Sequence, residues 1–151
     1  MGTRAIYTFK DENGTFHVYK HWDGYPEGAL DAIKRALPFA WELPRFEADE
    51  FSAAFVAGNK PKDGGNVHLL PCPMPCETKS KSRHVGTWRE VAPPDIQYRY
   101  EITRGAKGLH VAAYDVSCSY PGNVWSEKRL YSGTLAGFQK WNAAQRPLSA
   151  E

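Results

Sequence analysis

Apolar and polar residues alternate along the first twenty positions. Ala5, Tyr7 and Phe9 stand against Ile6, Thr8 and Lys10, and Phe16, Val18 and Lys20 against His17, Tyr19 and His21. A period of two is the mark of strands with one buried face. Between them, Asp11-Glu12-Asn13-Gly14 carries the Asn-Gly pair that accepts positive φ, so residues 4–20 are predicted to form a β-hairpin with Phe16 and Val18 toward the core. Asp23-Gly24 then supplies turn chemistry, and Pro26 suits the first position of a helix running to about Leu37, with Leu30, Ile33 and Leu37 as its apolar stripe. Pro38 and Pro44 break the chain into a corner. A second helix is predicted from Glu47 to Ala57, with Phe51 and Phe55 inward and Gly58-Asn59 ending it.

The run Asn66 to Leu70 predicts a short strand closed by Pro71. The clearest alternation follows later, Ile96, Tyr98, Tyr100 and Ile102 against Gln97, Arg99 and Glu101, within a strand over residues 95–103. Its hairpin partner is residues 109–116, and residues 128–132 supply a last strand. Thr134 is a natural N-cap for a final helix with Leu135, Phe138 and Trp141 spaced i, i+3, i+6. The order ββααβββ β α, with helices gathered after a first hairpin, predicts an α+β fold: a single antiparallel β-sheet with helices packed on one face. The 151 residues suit one domain, with residues 71–94, rich in proline and carrying a basic polar run, reading as a flexible or inserted loop.

With 42% hydrophobic and 24% charged residues the composition is that of a folded protein. A net charge of +2 is too small for a field that grips duplex nucleic acid, no apolar run reaches membrane-spanning length, and the first residues lack an apolar export core, so the cytoplasm is the expected compartment. Three cysteines without an export signal speak for reduced thiols rather than disulfides.

The densest group of chemically able side chains is the turn His21-Trp22-Asp23-Gly24-Tyr25-Pro26. A strand exit meeting a helix start brings polar groups toward the helix's positive end, and with Arg4 from the neighbouring strand this makes Arg4, His21, Trp22, Asp23 and Tyr25 the candidate ligand-binding group. In the plainer reading Asp23 caps the helix, Trp22 and Tyr25 pack between helix and sheet, and the histidines lie on a solvated strand face. His17 and His21 are about 13 Å apart along one strand, too far to share a metal. Cys72-Pro-Met-Pro-Cys76 with His84, and His68 nearby, is the metal candidate, zinc being the ion such ligands hold. No second pair follows at finger-like spacing, so loop thiols and no cofactor are the first expectation. Lys79, Lys81 and Arg83 with Trp88 offer phosphate contacts and a stacking ring for nucleic acid, although such a run is more often a solvated loop. Phosphate-cradling glycine motifs are absent, and no Ser or Cys is specified beside a His and a carboxylate, which favours a non-enzymatic role.

The opening Thr3-Arg4-Ala5-Ile6-Tyr7-Thr8-Phe9, the stretch from Phe16 through Val18-Tyr19-Lys20-His21-Trp22-Asp23-Gly24-Tyr25-Pro26-Glu27-Gly28, and the segments 45–51, 96–102 and 132–135 resemble a group of small proteins encoded by bacteriophages and prophages. The resemblance covers most of the chain outside residues 71–94. It implies a bacterial cytoplasm and an accessory protein that binds a host protein, inhibition of a host defence system being one such role. The alternative is a small-molecule or nucleotide binder, or an enzyme, with its pocket at residues 21–26.

Overall fold

The computed structural model describes residues 2–70, 96–106, 108–119 and 124–145. Strands β1 (Arg4–Asp11) and β2 (Gly14–Lys20) form the first hairpin, followed by helices α1 (Pro26–Ala36) and α2 (Ala48–Asp63) and strand β3 (Val67–Leu70). Strands β4 (Ile96–Gly105), β5 (Gly108–Ser119) and β6 (Val124–Thr134) follow, and helix α3 (Leu135–Gln145) comes last. The strands make one six-stranded sheet in the order β3-β2-β1-β4-β5-β6.

The α+β class, the single sheet and the helices on one face agree with the sequence pattern. One feature of the sheet does not: it is mixed, because β1 and β4 pair in parallel at its centre, Tyr7 opposite Tyr100 and Phe9 opposite Ile102. Alternation within a strand reports which face is buried. It says nothing of which distant strand lies alongside, and β1 and β4 are separated by most of the fold.

The helical face of the sheet carries Ala5, Tyr7, Phe9, Val18, Tyr100, Ile102, Leu109, Val111 and Ala113, all buried against Ala29, Ile33, Ala36, Phe51, Phe55 and Phe138 of the three helices. Burying aromatic rings of this size is the main stabilising term. Phe55 lies 4.5 Å from Tyr7 and 5.3 Å from Phe9, centroid to centroid, so α2 sits directly over β1. The opposite face holds a smaller buried group, Ile6, Tyr19, Leu70, Ile96 and Val116. Val18 is in the core as its phase predicts, whereas Phe16, near the turn of the hairpin, is 38% exposed.

Helix α2 runs six residues beyond the predicted end. Gly58 and Asn59 read as a stop signal, yet both are buried inside the helix. Asn59 spends its polar groups on tertiary contacts: its amide donates to the carbonyls of Ala32 and Phe55, and its oxygen accepts from Arg35 Nε at 2.9 Å. Thr134 caps α3 as predicted, its Oγ1 accepting the Gly137 N–H at 2.9 Å.

Asp11 ties the hairpin to the helical layer. Its Oδ1 accepts the N–H groups of Asn13 and Gly14, closing the turn, and its Oδ2 accepts the Ala48 N–H at 2.7 Å, satisfying an orphan donor in the first turn of α2. These bonds hold the Asp11 carboxyl below the ordinary value of 3.8. Asp23 is also held low, chiefly by its hydrogen bond from Lys62. A carboxylate with a depressed folded-state value binds fewer protons folded than unfolded, so its contribution is present above about 3.8 and is lost as pH falls through the folded value. Thermal melting followed from neutral pH downward is expected to show the melting temperature dropping below about pH 4, and Asp11→Asn to flatten that drop.

Candidate functional site

The turn after β2 is fixed by its backbone. Asp23 adopts positive φ, 58°, as Asp tolerates, and the Gly24 N–H donates to Thr3 O at 2.7 Å while Gly24 O accepts from the buried Tyr100 hydroxyl at 2.6 Å. This geometry divides the five predicted ligand residues between the two faces of the sheet. Arg4, His21 and Trp22 come together: Arg4 Nε donates to His21 Nδ1 at 3.2 Å, and the His21 ring meets Trp22 edge-on at 4.5 Å. Because an arginine N–H is only a donor, Nδ1 is the acceptor there, and the Tyr19 hydroxyl 2.8 Å away is a second donor to it. His68 packs against Tyr19 from β3 at 5.0 Å.

Asp23 points the other way. Its Oδ2 accepts from Lys62 Nζ at 2.9 Å, and it does not cap α1. The N-cap position belongs to Tyr25, which makes no side-chain capping bond and is 42% exposed, and Trp22 is 38% exposed. The expectation that Asp23 caps the helix while the two aromatics pack between helix and sheet is thus overturned: the positive φ at Asp23 swings its carboxylate toward the end of α2.

Beside Asp23 lies an ion pair that the strand pattern alone does not announce. Lys20 is on the core face and wholly buried, its Nζ 2.9 Å from Asp63 Oδ2 and donating to Trp22 O at 2.6 Å. Burial lowers the Lys20 pKa, and the Asp63 carboxylate opposes that shift. Burial also drives the Tyr7 hydroxyl far above its usual range. His17, half-buried with its Nδ1 3.1 Å from Thr8 Oγ1, is lowered by burial and by the nearby Arg99.

A second cluster stands at the opposite end of α1, in the proline-bounded corner that joins it to α2. Phe39 is 58% exposed and Trp41 38%. The Arg45 guanidinium lies over the Trp41 ring, 3.5 Å from its centroid, and the Trp41 backbone N–H donates to Glu50 Oε2 of α2 at 3.0 Å. Two hollows flank Arg104 next to this corner. One is lined by Lys10, Asp11, Glu12 and Thr103, the other by Glu42, Pro44, Arg45, Phe46 and Glu47 with the β4–β5 turn. Arg104 anchors the corner by donating to Phe46 O at 3.0 Å. The sequence signal for this surface is two aromatics between Pro38 and Pro44, out of phase with either helix stripe.

Ser132 Oγ and His110 Nε2 are 3.2 Å apart on neighbouring strands, a nucleophile-to-base distance. Ser132 is exposed, and among the described residues no carboxylate holds the imidazole, so the pair lacks the group that would orient it. No group of three or more metal-ligating side chains occurs among the described residues. The proposed zinc ligands Cys72, Cys76 and His84, and the proposed nucleic-acid residues Lys79, Lys81, Arg83 and Trp88, lie outside the described residues. Among the described residues no helix is long and apolar enough to cross a membrane. No family model, curated protein or solved structure matches the chain.

Proposed function

We propose that the chain is a small phage or prophage accessory protein that works in the bacterial cytoplasm, without catalysis, by binding a host protein, such as a component of a host defence system, through the corner between α1 and α2. The observation that carries this reading is the exposed Trp41 with Arg45 stacked on it, in the same corner as the exposed Phe39. Tryptophan and arginine are the residue types that dominate interface energetics, and a ring already held under the Arg45 guanidinium loses little freedom on docking. The charges around the hollows are balanced, Arg45 and Arg104 against Glu42 and Glu47, which suits a protein surface better than a polyanion. The phage-protein resemblance supplies the host context.

The test is affinity capture from lysate of a bacterial host with three baits: the native chain, Trp41→Ala and Trp22→Ala. A host protein retained by the native chain and by Trp22→Ala, but bound about 30-fold more weakly by Trp41→Ala, is the expected result, a hot-spot loss of about 2 kcal/mol. Equal capture by the native chain and Trp41→Ala overturns the assignment, as does capture of nothing by the native chain.

A further inference from the structure

We infer that the other end of α1 carries a separate small-ligand site, in which Arg4, positioned by His21, and Trp22 receive a flat aromatic ring bearing an oxyanion, the chemistry of a nucleoside monophosphate. The starting observation is the charge on Arg4. Its side chain is half-buried, and among the described residues no carboxylate lies within ion-pair distance of it. Half-buried cations are ordinarily neutralised by an acidic neighbour. Arg99, at a comparable depth on the same sheet face, is held by both Glu127 and Glu101. Arg4 instead gives its Nε–H to a neutral acceptor, His21 Nδ1. That bond fixes the guanidinium plane while no carboxylate among the described residues pairs with its charge, and it directs the recognition to the Nη1–Nη2 end of the fork. Two parallel N–H groups on a fixed plane match two oxygens of a phosphate or carboxylate.

His21 couples this fork to an aromatic platform. Its Nδ1 meets Arg4 and the Tyr19 hydroxyl, and its ring abuts Trp22 edge-on, so the imidazole is braced from both sides between the cation and the indole. Trp22 keeps 38% of its surface accessible although it stands at the junction of two strands and a helix, where an indole is ordinarily buried. An exposed indole takes a planar ring by stacking, worth about 1–3 kcal/mol for a nucleobase. Fork and ring together call for an aromatic oxyanion, whereas either alone would serve inorganic phosphate or a bare aromatic. The Asp23 carboxylate, next to Trp22 in the chain, is paired with Lys62 at 2.9 Å, which lessens its repulsion toward an anion.

The proposal is tested on the full chain by titrating adenosine 5′-monophosphate while recording the Arg4 Nε–H and Trp22 indole N–H resonances, with inorganic phosphate and adenosine as separate titrations. Saturable shifts at both residues with the nucleotide, at roughly millimolar concentration or below, are the expected result. Arg4→Gln is expected to weaken binding tenfold or more. Arg4→Lys, which keeps the charge and the fold but not the fork, is expected to recover part of it. Trp22→Ala is expected to reduce nucleotide binding to the level of inorganic phosphate. A native chain that responds to phosphate as strongly as to the nucleotide, that responds to neither, or whose response survives Arg4→Gln overturns the site.

Discussion

Lys20→Met is expected to destabilise the fold by about 3–5 kcal/mol, read as a fall in the urea midpoint at unchanged slope. Lys20 has no exposed surface and Asp63 almost none, and their charged atoms are 2.9 Å apart. Removing the ammonium leaves a buried carboxylate whose next cation, Lys62, is 4.0 Å away and itself engaged with Asp23. It also strips the donor from Trp22 O, a carbonyl inside the turn. The large loss reflects the stranded charge rather than the worth of the pair, because burying two ions is nearly cancelled by their attraction. The double variant Lys20→Met, Asp63→Leu is therefore expected to recover most of the stability. A loss below about 1 kcal/mol in the single variant would mean that Asp63 is solvated, and the pair could not then be what pins the end of β2 to the end of α2.

How far the sequence foretold this arrangement differs from residue to residue. Lys20 was in phase with Val18, so its inward direction was legible, but its partner lies 43 positions away at the end of a helix that the pattern stopped too early (63 − 20). Local periodicity identified β1, β2, β4 and β5 because apolar residues recur at every second position on the helical face, although Ile6, Thr8 and Tyr19 are buried on the other. It missed the parallel β1–β4 pairing because strand adjacency depends on long-range closure, not on period. The turn cluster was half legible: Arg4, His21 and Trp22 do meet, and Asp23 departs because a single positive φ redirects it. Nothing in the alternation distinguishes a carboxylate aimed at a helix start from one aimed at a helix end. The Trp41–Arg45 stack is not legible for the converse reason, since aromatics inside a proline-bounded corner have no period from which exposure can be read.

Gly58 exposes the same limit and gives the second large expected effect. Gly58→Ala is expected to cost about 3 kcal/mol, although alanine favours a helix by up to about 1 kcal/mol over glycine. The sign is decided by what a methyl group at Gly58 would meet, the backbone carbonyl of Arg35 in α1, which no side-chain rotation can move aside. The two helices would have to separate, and that strains the Asn59 bonds to Ala32 O and Arg35 Nε, each worth about 1 kcal/mol. Gly65→Ala is the matched control, since a methyl group there meets nothing within 4 Å and its backbone does not require positive φ. It is expected to leave the urea midpoint unchanged or to raise it slightly. If Gly58→Ala behaves like Gly65→Ala, α1 and α2 do not cross in backbone contact. If it destabilises as expected, the glycine that resembled a helix stop is the point of closest approach between the helices whose joining corner presents Phe39 and Trp41. Partner capture by a still-folded Gly58→Ala chain should then weaken along with the bond from the Trp41 backbone N–H to Glu50 that ties the corner to α2.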